Sequence, residues 1–302
     1  MDFELPILES PPARAARSPV PDLLFEDIRE KRVVDLIPMA SDPYRVHAGT
    51  PLHRMTVFLT YRCNLDCPYC KTIVRSPNEL AARPQRGKTY DLAAFQQMLE
   101  SHGDTPIEHL HFTGGEASIV NDLPEMLRFA RKRGVGRTSI TSNGTQKIET
   151  YLQLVEAGID EIRISIDASD AEAGLSHTGR SGAWDRCVAA IRALAEARRN
   201  GAEFFLILNT VVTKANRARL DETVRFLAGL GPDDLKLITE VDVKGELADF
   251  PERNRVIAGI EEVLALLPPD RFPLLRMKLS TVFAPTAIGL EQERAPQGRD
   301  WR

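Results

Sequence analysis

The sequence predicts an α/β fold: a partial (βα)6 TIM-like barrel set between an N-terminal extension and a short C-terminal helical segment. Three observations carry that expectation. From Met55 onward, six short β-rich runs (55–60, 107–113, 137–142, 161–167, 203–212 and 235–242) alternate with longer helical patterns, the spacing of parallel βαβ units with right-handed crossovers. The helices carry their own punctuation: Asp122, Pro124 and Gly134 read as cap, first-turn proline and stop, while Gly158 and Gly201 end two others. Finally, two strands alternate in polarity. Six units rather than eight favour a partial barrel, with a doubly wound open sheet as the alternative.

The alternation says what each strand face requires. In EIRISID, Ile162, Ile164 and Ile166 share one face and Glu161, Arg163, Ser165 and Asp167 the other. The isoleucine face suits packing on helices; the polar face looks into the barrel, where unpaired charge is costly unless something satisfies it. In IEHLHFT, His109, His111 and Thr113 oppose Leu110 and Phe112 in the same way. Two polar inner faces imply a polar cavity and a substrate site. In the last strand Lys236, Glu240 and Asp242 share a parity and reach toward the cavity mouth, where a carboxylate can accept a substrate proton. His111, Glu240 and Asp242 are therefore the candidate catalytic groups.

Around this core, residues 1–50 read as an extension, 51–245 as the barrel and 246–302 as the helical tail. Residues 10–21 hold four prolines and two arginines and are expected to form an extended arm. After Pro251, ERNRVIAGIEEVLALL is amphipathic and is expected to close the open side of the barrel. Cys187, in GAWDRCVAAIRAL, has Trp184, Val188 and Ile191 at helical spacing and reads as core. The arginines of 74–90 lie on the loop after the cysteines, as a solvated loop or an anion clamp. The chain has 302 residues, 43% hydrophobic and 27% charged, which excludes disordered and collagenous classes. No run approaches the roughly 18–20 uncharged apolar residues of a membrane span. With 39 Lys and Arg against 43 Asp and Glu, there is no global field to hold nucleic acid or an anionic membrane, and neither is an expected partner.

Three of the four cysteines fall within eight residues: TYRCNLDCPYCKT places Cys63, Cys67 and Cys70 as C-x3-C-x2-C directly after the first strand. Such crowding reads as metal binding in a reducing compartment, and the N-terminus has no apolar signal region, so the expected location is cytoplasmic. Three thiolates on one loop can ligate three irons of a compact cluster. A structural zinc wants a fourth ligand; neither His53 nor Cys187 is an evident one, although a zinc module recruiting His53 stays open.

The same residues resemble the signature of the radical S-adenosylmethionine (SAM) superfamily. The aromatic Tyr69 precedes the last cysteine, and FTGGEA (112–117), ITSNGT (140–145) and RISIDA (163–168) follow in the superfamily's order. The similarity runs from about Thr56 to Asp242. It is greatest to the branch holding the GTP cyclase of molybdenum-cofactor synthesis and the peptide-modifying maturases.

That resemblance implies a [4Fe-4S] cluster on Cys63, Cys67 and Cys70, with SAM on the remaining iron. It implies Tyr69 beside the cofactor, Gly114 and Gly115 admitting the methionyl group, and Glu116 or neighbouring carbonyls accepting from its amino group. Ser142 and Asn143 would stand near the cofactor cleft, Ser165 and Asp167 would face the ribose, and Arg180 would pair with the SAM carboxylate. Reductive cleavage would give a 5′-deoxyadenosyl radical that takes hydrogen from a polar biosynthetic substrate, a peptide or a small metabolite. A flavodoxin- or ferredoxin-like reductase would supply the electron. The alternative is an iron–sulfur electron-transfer protein of the same fold.

Two departures bear on the substrate. Where the cyclase carries basic residues on its first, second and fifth strands, this chain has Thr56, His111 and Ile207, which speaks against GTP. No cysteine follows Cys187, so either one cluster suffices or the sequence stops early; its ending, QGRDWR, shows no terminal packing element.

Overall fold

β1 (Met55–Thr60), MTVFLT, leads into the cysteine loop, and its apolar Val57 and Leu59 are buried in the core beneath the helices. The computed structural model describes residues 51–70, 88–240 and 249–283. The N-terminal arm, Arg75, Arg83 and Arg86, Asp242 and the segment from 284 lie outside the described residues.

The strands β2 (His109–Gly114), β3 (Arg137–Ser142), β4 (Glu161–Ser165), β5 (Phe205–Val212) and β6 (Asp234–Thr239) follow. Every neighbouring pair is parallel, in the order β1-β2-β3-β4-β5-β6. No pairing among the described residues joins β6 to β1, so the sheet is an open, partial barrel. All six predicted strands are present. Two end earlier than the sequence pattern: β4 stops at Ser165 and β6 at Thr239.

The outer layer is α1 (Leu92–Glu100), α2 (Leu123–Lys132), α3 (Ile148–Glu156), α4 (Ala171–Thr178), α5 (Ala183–Arg199), α6 (Leu220–Gly229), α7 (Arg253–Ala265) and α8 (Pro273–Val282). α2 buries Leu123, Met126, Leu127 and Ala130, an i, i+3, i+4, i+7 stripe. In the same core lie the fully buried Leu110, Phe112, Ile140, Ile162 and Ile164, each contributing on the order of 1.5–3 kcal/mol through burial. Gly134, Gly158 and Gly201 follow helix ends with positive φ, as their sequence positions predict. Asp122 precedes α2, but its carboxylate accepts the N–H of Leu92 rather than capping its own helix.

The expected closing helix requires correction. α7 packs its Val256, Ile260 and Val263 stripe against α6 in the outer layer, with Gly259 against the side chain of Asp221. α8 is the helix that lies along β6: Asp234 accepts from the first-turn N–H groups of Leu274 and Leu275 at 2.9 and 3.4 Å. The free N–H groups of a helix start attract a carboxylate, and Asp234 is the residue at the edge strand that supplies one.

Candidate active site

The cysteine loop leaves β1 and is clamped by the strand beside it. Thr60 O accepts the N–H of Gly115 at 2.7 Å, and Arg62 O accepts that of Glu116 at 2.8 Å. A Cβ on Gly114 would overlap Thr60 O, and one on Gly115 would overlap Arg62 O. Gly114 also adopts φ +149°. The glycine pair is thus required by the approach of the protein's own cysteine loop, before any ligand is considered. On the other side, Asp66 N–H donates to Thr178 O at 3.0 Å, which brings the loop beside Arg180. Arg180 itself is exposed.

The turn after β3 reaches the same loop. Asn143 Nδ2 donates to Asn64 Oδ1 at 2.8 Å and approaches Cys63 Sγ at 3.7 Å. Asn64 Nδ2 in turn donates to Thr145 Oγ1, and Thr145 donates to Asn143 Oδ1. Glu116 is 1% exposed, and both its oxygens are engaged within the protein. Oε1 accepts from Ser118 N–H and Oγ–H, and Oε2 from Asn143 N–H at 2.6 Å. Burial pushes its carboxyl upward, and those donors oppose the shift. Ser142 is buried on the helix side, where its hydroxyl meets Tyr151 OH at 3.0 Å and accepts from Gly144 N–H. Its side chain supports the turn, while Asn143 alone of that pair faces the cysteines.

Just past β4, Asp167 accepts the Tyr69 hydroxyl on one oxygen and Val211 N–H at 2.7 Å on the other. Burial raises its pKa, opposed by those two donors; burial and the Asp167 charge raise that of Tyr69. Asp167 thereby ties the cysteine loop to the ends of β4 and β5. Ser165 is half-buried at the end of β4. Cys187 is buried, with its Sγ 3.9 Å from Ser165 O, a core residue as its spacing predicts.

Burial pushes Cys67 up to about 12, and Asp167, Cys63 and Cys70 push it the same way. Burial also raises Cys63, with Glu116 and Cys70 contributing. The charges acting on these thiols oppose ionisation, so thiolates here need a strongly positive ligand. Among the described residues no three of His, Cys, Asp and Glu converge on a single metal ion. Three half-buried thiols within electrostatic reach of one another fit a cluster that spreads its ligands over separate irons.

Below the loop, the inner strand face is polar in register rows. Thr56, His111, Ser139 and Glu161 form one row, Thr141, Arg163 and Ile207 the next, and Ser165, Asn209 and Lys236 a third. His111 Nδ1 meets Ser139 Oγ at 2.8 Å, and Nε2 meets Thr141 Oγ1 at 3.3 Å. Burial and Arg163 lower His111 to about 3, which keeps it neutral near pH 7. Glu161 is paired with both Arg137 and Arg163. Glu240 lies just past β6, where its N–H donates to Val212 O at 3.0 Å. Asn64 and Asn209 were not singled out from sequence, although the alternation of LILNTVV already puts Asn209 on the inner face. A cavity of about 450 Å³ borders the cysteine loop itself, lined by Arg62, Cys63, Asn64, Ser118 and the α2 and α3 residues Pro124 and Gln153.

Known proteins share these features. The sequence signature of the radical SAM superfamily matches residues 57–227. A probable GTP 3′,8-cyclase of Metallosphaera sedula is 32% identical over 190 residues, 63% of this chain and 56% of that protein. A PqqA peptide cyclase of Methylocella silvestris is 28% identical over 212 residues, 69% of this chain and 54% of that protein. The chain thus spans just over half the length of these curated relatives. Streptococcus suis SuiB bound to SAM superposes with a TM-score of 0.55 at 18% identity, over 72% of this chain and 48% of SuiB, a likeness of fold. With the signature covering more than half of its length, the chain belongs to the radical SAM superfamily.

Proposed function

We propose that this protein is a radical SAM enzyme. Cys63, Cys67 and Cys70 hold one [4Fe-4S] cluster, and a polar peptide or small metabolite occupies the lumen as substrate. When bound, cluster and SAM supply reductive cleavage of the sulfonium and a 5′-deoxyadenosyl radical that takes a substrate hydrogen. The carrying observation is the double clamp of Gly115 and Glu116 N–H on Thr60 O and Arg62 O. It holds the three cysteines over the carboxyl ends of the strands, the edge at which ligands bind open parallel sheets.

The protein's own residues orient and enclose. Asn143 steadies Cys63 and the Asn64 turn, Glu116 locks the β2 loop to that turn, and the Tyr69–Asp167 hydrogen bond fixes the far end of the loop. The backbone carbonyls at Gly114 and Gly115 remain for the SAM amino group, Ser165 for the ribose, and Arg180 for the carboxylate. His111, neutral and hydrogen-bonded on both ring nitrogens, positions substrate rather than donating a proton; Glu240 and Asp242 are the candidate bases. A peptide substrate is supported by the PqqA peptide cyclase relative and by a SuiB structure bound to the precursor peptide SuiA. We further propose a flavodoxin- or ferredoxin-like reductant and a reducing cytoplasmic location; no helix among the described residues is long and apolar enough to cross a membrane.

Anaerobic reconstitution with iron and sulfide, reduction and addition of SAM tests this reading. About four irons per chain together with 5′-deoxyadenosine formation supports it. Iron without SAM cleavage after full reduction favours an electron-transfer protein of the same fold.

A further inference from the structure

The inner face holds a feature that cluster and SAM do not use. Lys236 is half-buried on β6, and among the described residues it makes no hydrogen bond or salt bridge. The strongest charges acting on it are Arg163, Lys278 and Arg54, with Glu161 opposing them. Glu161 is already shared between Arg137 and Arg163. Glu161 is thus not free to neutralise Lys236, and Asp234, two residues before it on β6, is engaged by the Leu274 and Leu275 N–H groups; His109 and His111 add no charge near neutrality, since burial and the nearby arginines hold both well below the usual histidine range. A cation withdrawn from water and crowded by others is costly unless an anion joins it.

A second observation lies in the same row. Asn209 is directly opposite Lys236 on β5 and only 5% exposed. Its Oδ1 is buried with no hydrogen-bond partner among the described residues. A buried amide oxygen left unpaired carries the full cost of its desolvation. An unpartnered ammonium and an unpartnered acceptor thus come from directly opposed positions on β6 and β5, out of hydrogen-bond reach of each other, in the row of Ser165 on β4 and one row from Arg163.

The geometry points to a substrate that carries an anionic group, carboxylate or phosphate, docked on Lys236 and Arg163, with an adjacent N–H or O–H donating to Asn209. This deepens the proposed function and rests on it for the lumen being the substrate chamber. The cations come from β4 and β6, not from the first, second and fifth strands on which the cyclase comparison turned. A substrate recognised in this way lies beneath the cysteine loop, since Ser165 ends β4 only two residues, or about 7 Å, beyond Arg163.

The test is anion binding rather than turnover. Tripolyphosphate and citrate are titrated calorimetrically, without SAM and at low salt, into the full-length chain before and after iron–sulfide reconstitution. The wild type is expected to bind at least one of them saturably. Lys236→Met should weaken that binding about tenfold or more, Lys236→Arg should restore most of it, and Lys132→Met, on the exposed end of α2, should leave it unchanged. Melting temperatures within a few degrees of wild type certify the variants as folded. The tighter of the two ions identifies the group as phosphate or carboxylate. Equal binding by wild type and Lys236→Met, or no saturable binding up to roughly 10 mM, overturns the inference. Formation of 5′-deoxyadenosine is scored separately: SAM cleavage with Lys236-independent anion binding sinks only this inference, and the reverse sinks only the radical reading.

Discussion

The carboxylate of Glu116 accepts the backbone N–H of Asn143 at 2.6 Å, joining the loop after β2 to the turn after β3. The same side chain accepts twice from Ser118, so three donors converge on one buried acid. Glu116→Gln replaces one accepting oxygen by an NH2 that faces a donor. The expected loss is about 1–3 kcal/mol, read as a lower urea midpoint, with weaker iron retention because Asn143 and Asn64 lose their anchor. Unchanged stability would mean that the carboxylate is not what holds the turn.

Gly115 faces the Arg62 carbonyl with no room for a Cβ. Gly115→Ala should therefore push the cysteine loop off β2 and reduce both stability and iron loading. A variant with wild-type iron content and stability but weaker SAM binding would instead assign the glycine to the cofactor alone. Equilibrium dialysis with SAM, alongside iron analysis, separates the two outcomes.

Cys63→Ala, Cys67→Ala and Cys70→Ala are each expected to abolish stable cluster incorporation and SAM cleavage while leaving far-UV circular dichroism unchanged. Cys187→Ala should keep full iron content, since its Sγ lies in the core between Gly144 and Ser165. Normal 5′-deoxyadenosine yield from any of the first three would remove that residue from the ligand set.

Stability should depend on pH through the paired histidines of β2. Burial, with the nearby arginines, lowers His109 to about 4 and His111 to about 3 from an ordinary value of 6.5. Both are neutral in the folded chain where the unfolded chain already takes up protons. Their contribution is thus fully present above pH 6.5 and is lost as pH falls toward 4 and then 3. His111→Gln should flatten the slope of stability against pH by about one proton between pH 6 and 4.5. Urea unfolding across that range checks it; an identical slope would show that His111 titrates normally.

Much of this molecule is written locally. C-x3-C-x2-C after a strand, the isoleucine face of EIRISID, and glycines at helix ends each depend on neighbours within a few residues, where backbone geometry alone dictates periodicity and turn chemistry. The six strands and the core position of Cys187 follow from such patterns. What only the tertiary structure decided is who meets whom across the sheet. Asn64 and Asn143 are bonded across 79 residues, and Tyr69 and Asp167 across 98. Nothing in either segment alone specifies the register that unites them. The glycine pair reads from sequence as room for a ligand, yet the space is taken by the carbonyls of residues 60 and 62. Glu116 reads as a ligand contact, yet its lone pairs are spent on Ser118 and Asn143. The Lys236–Asn209–Ser165 row exists only because three strands far apart in the chain align in parallel, and hydrogen-bonded register, unlike periodicity, is a property of pairs of segments.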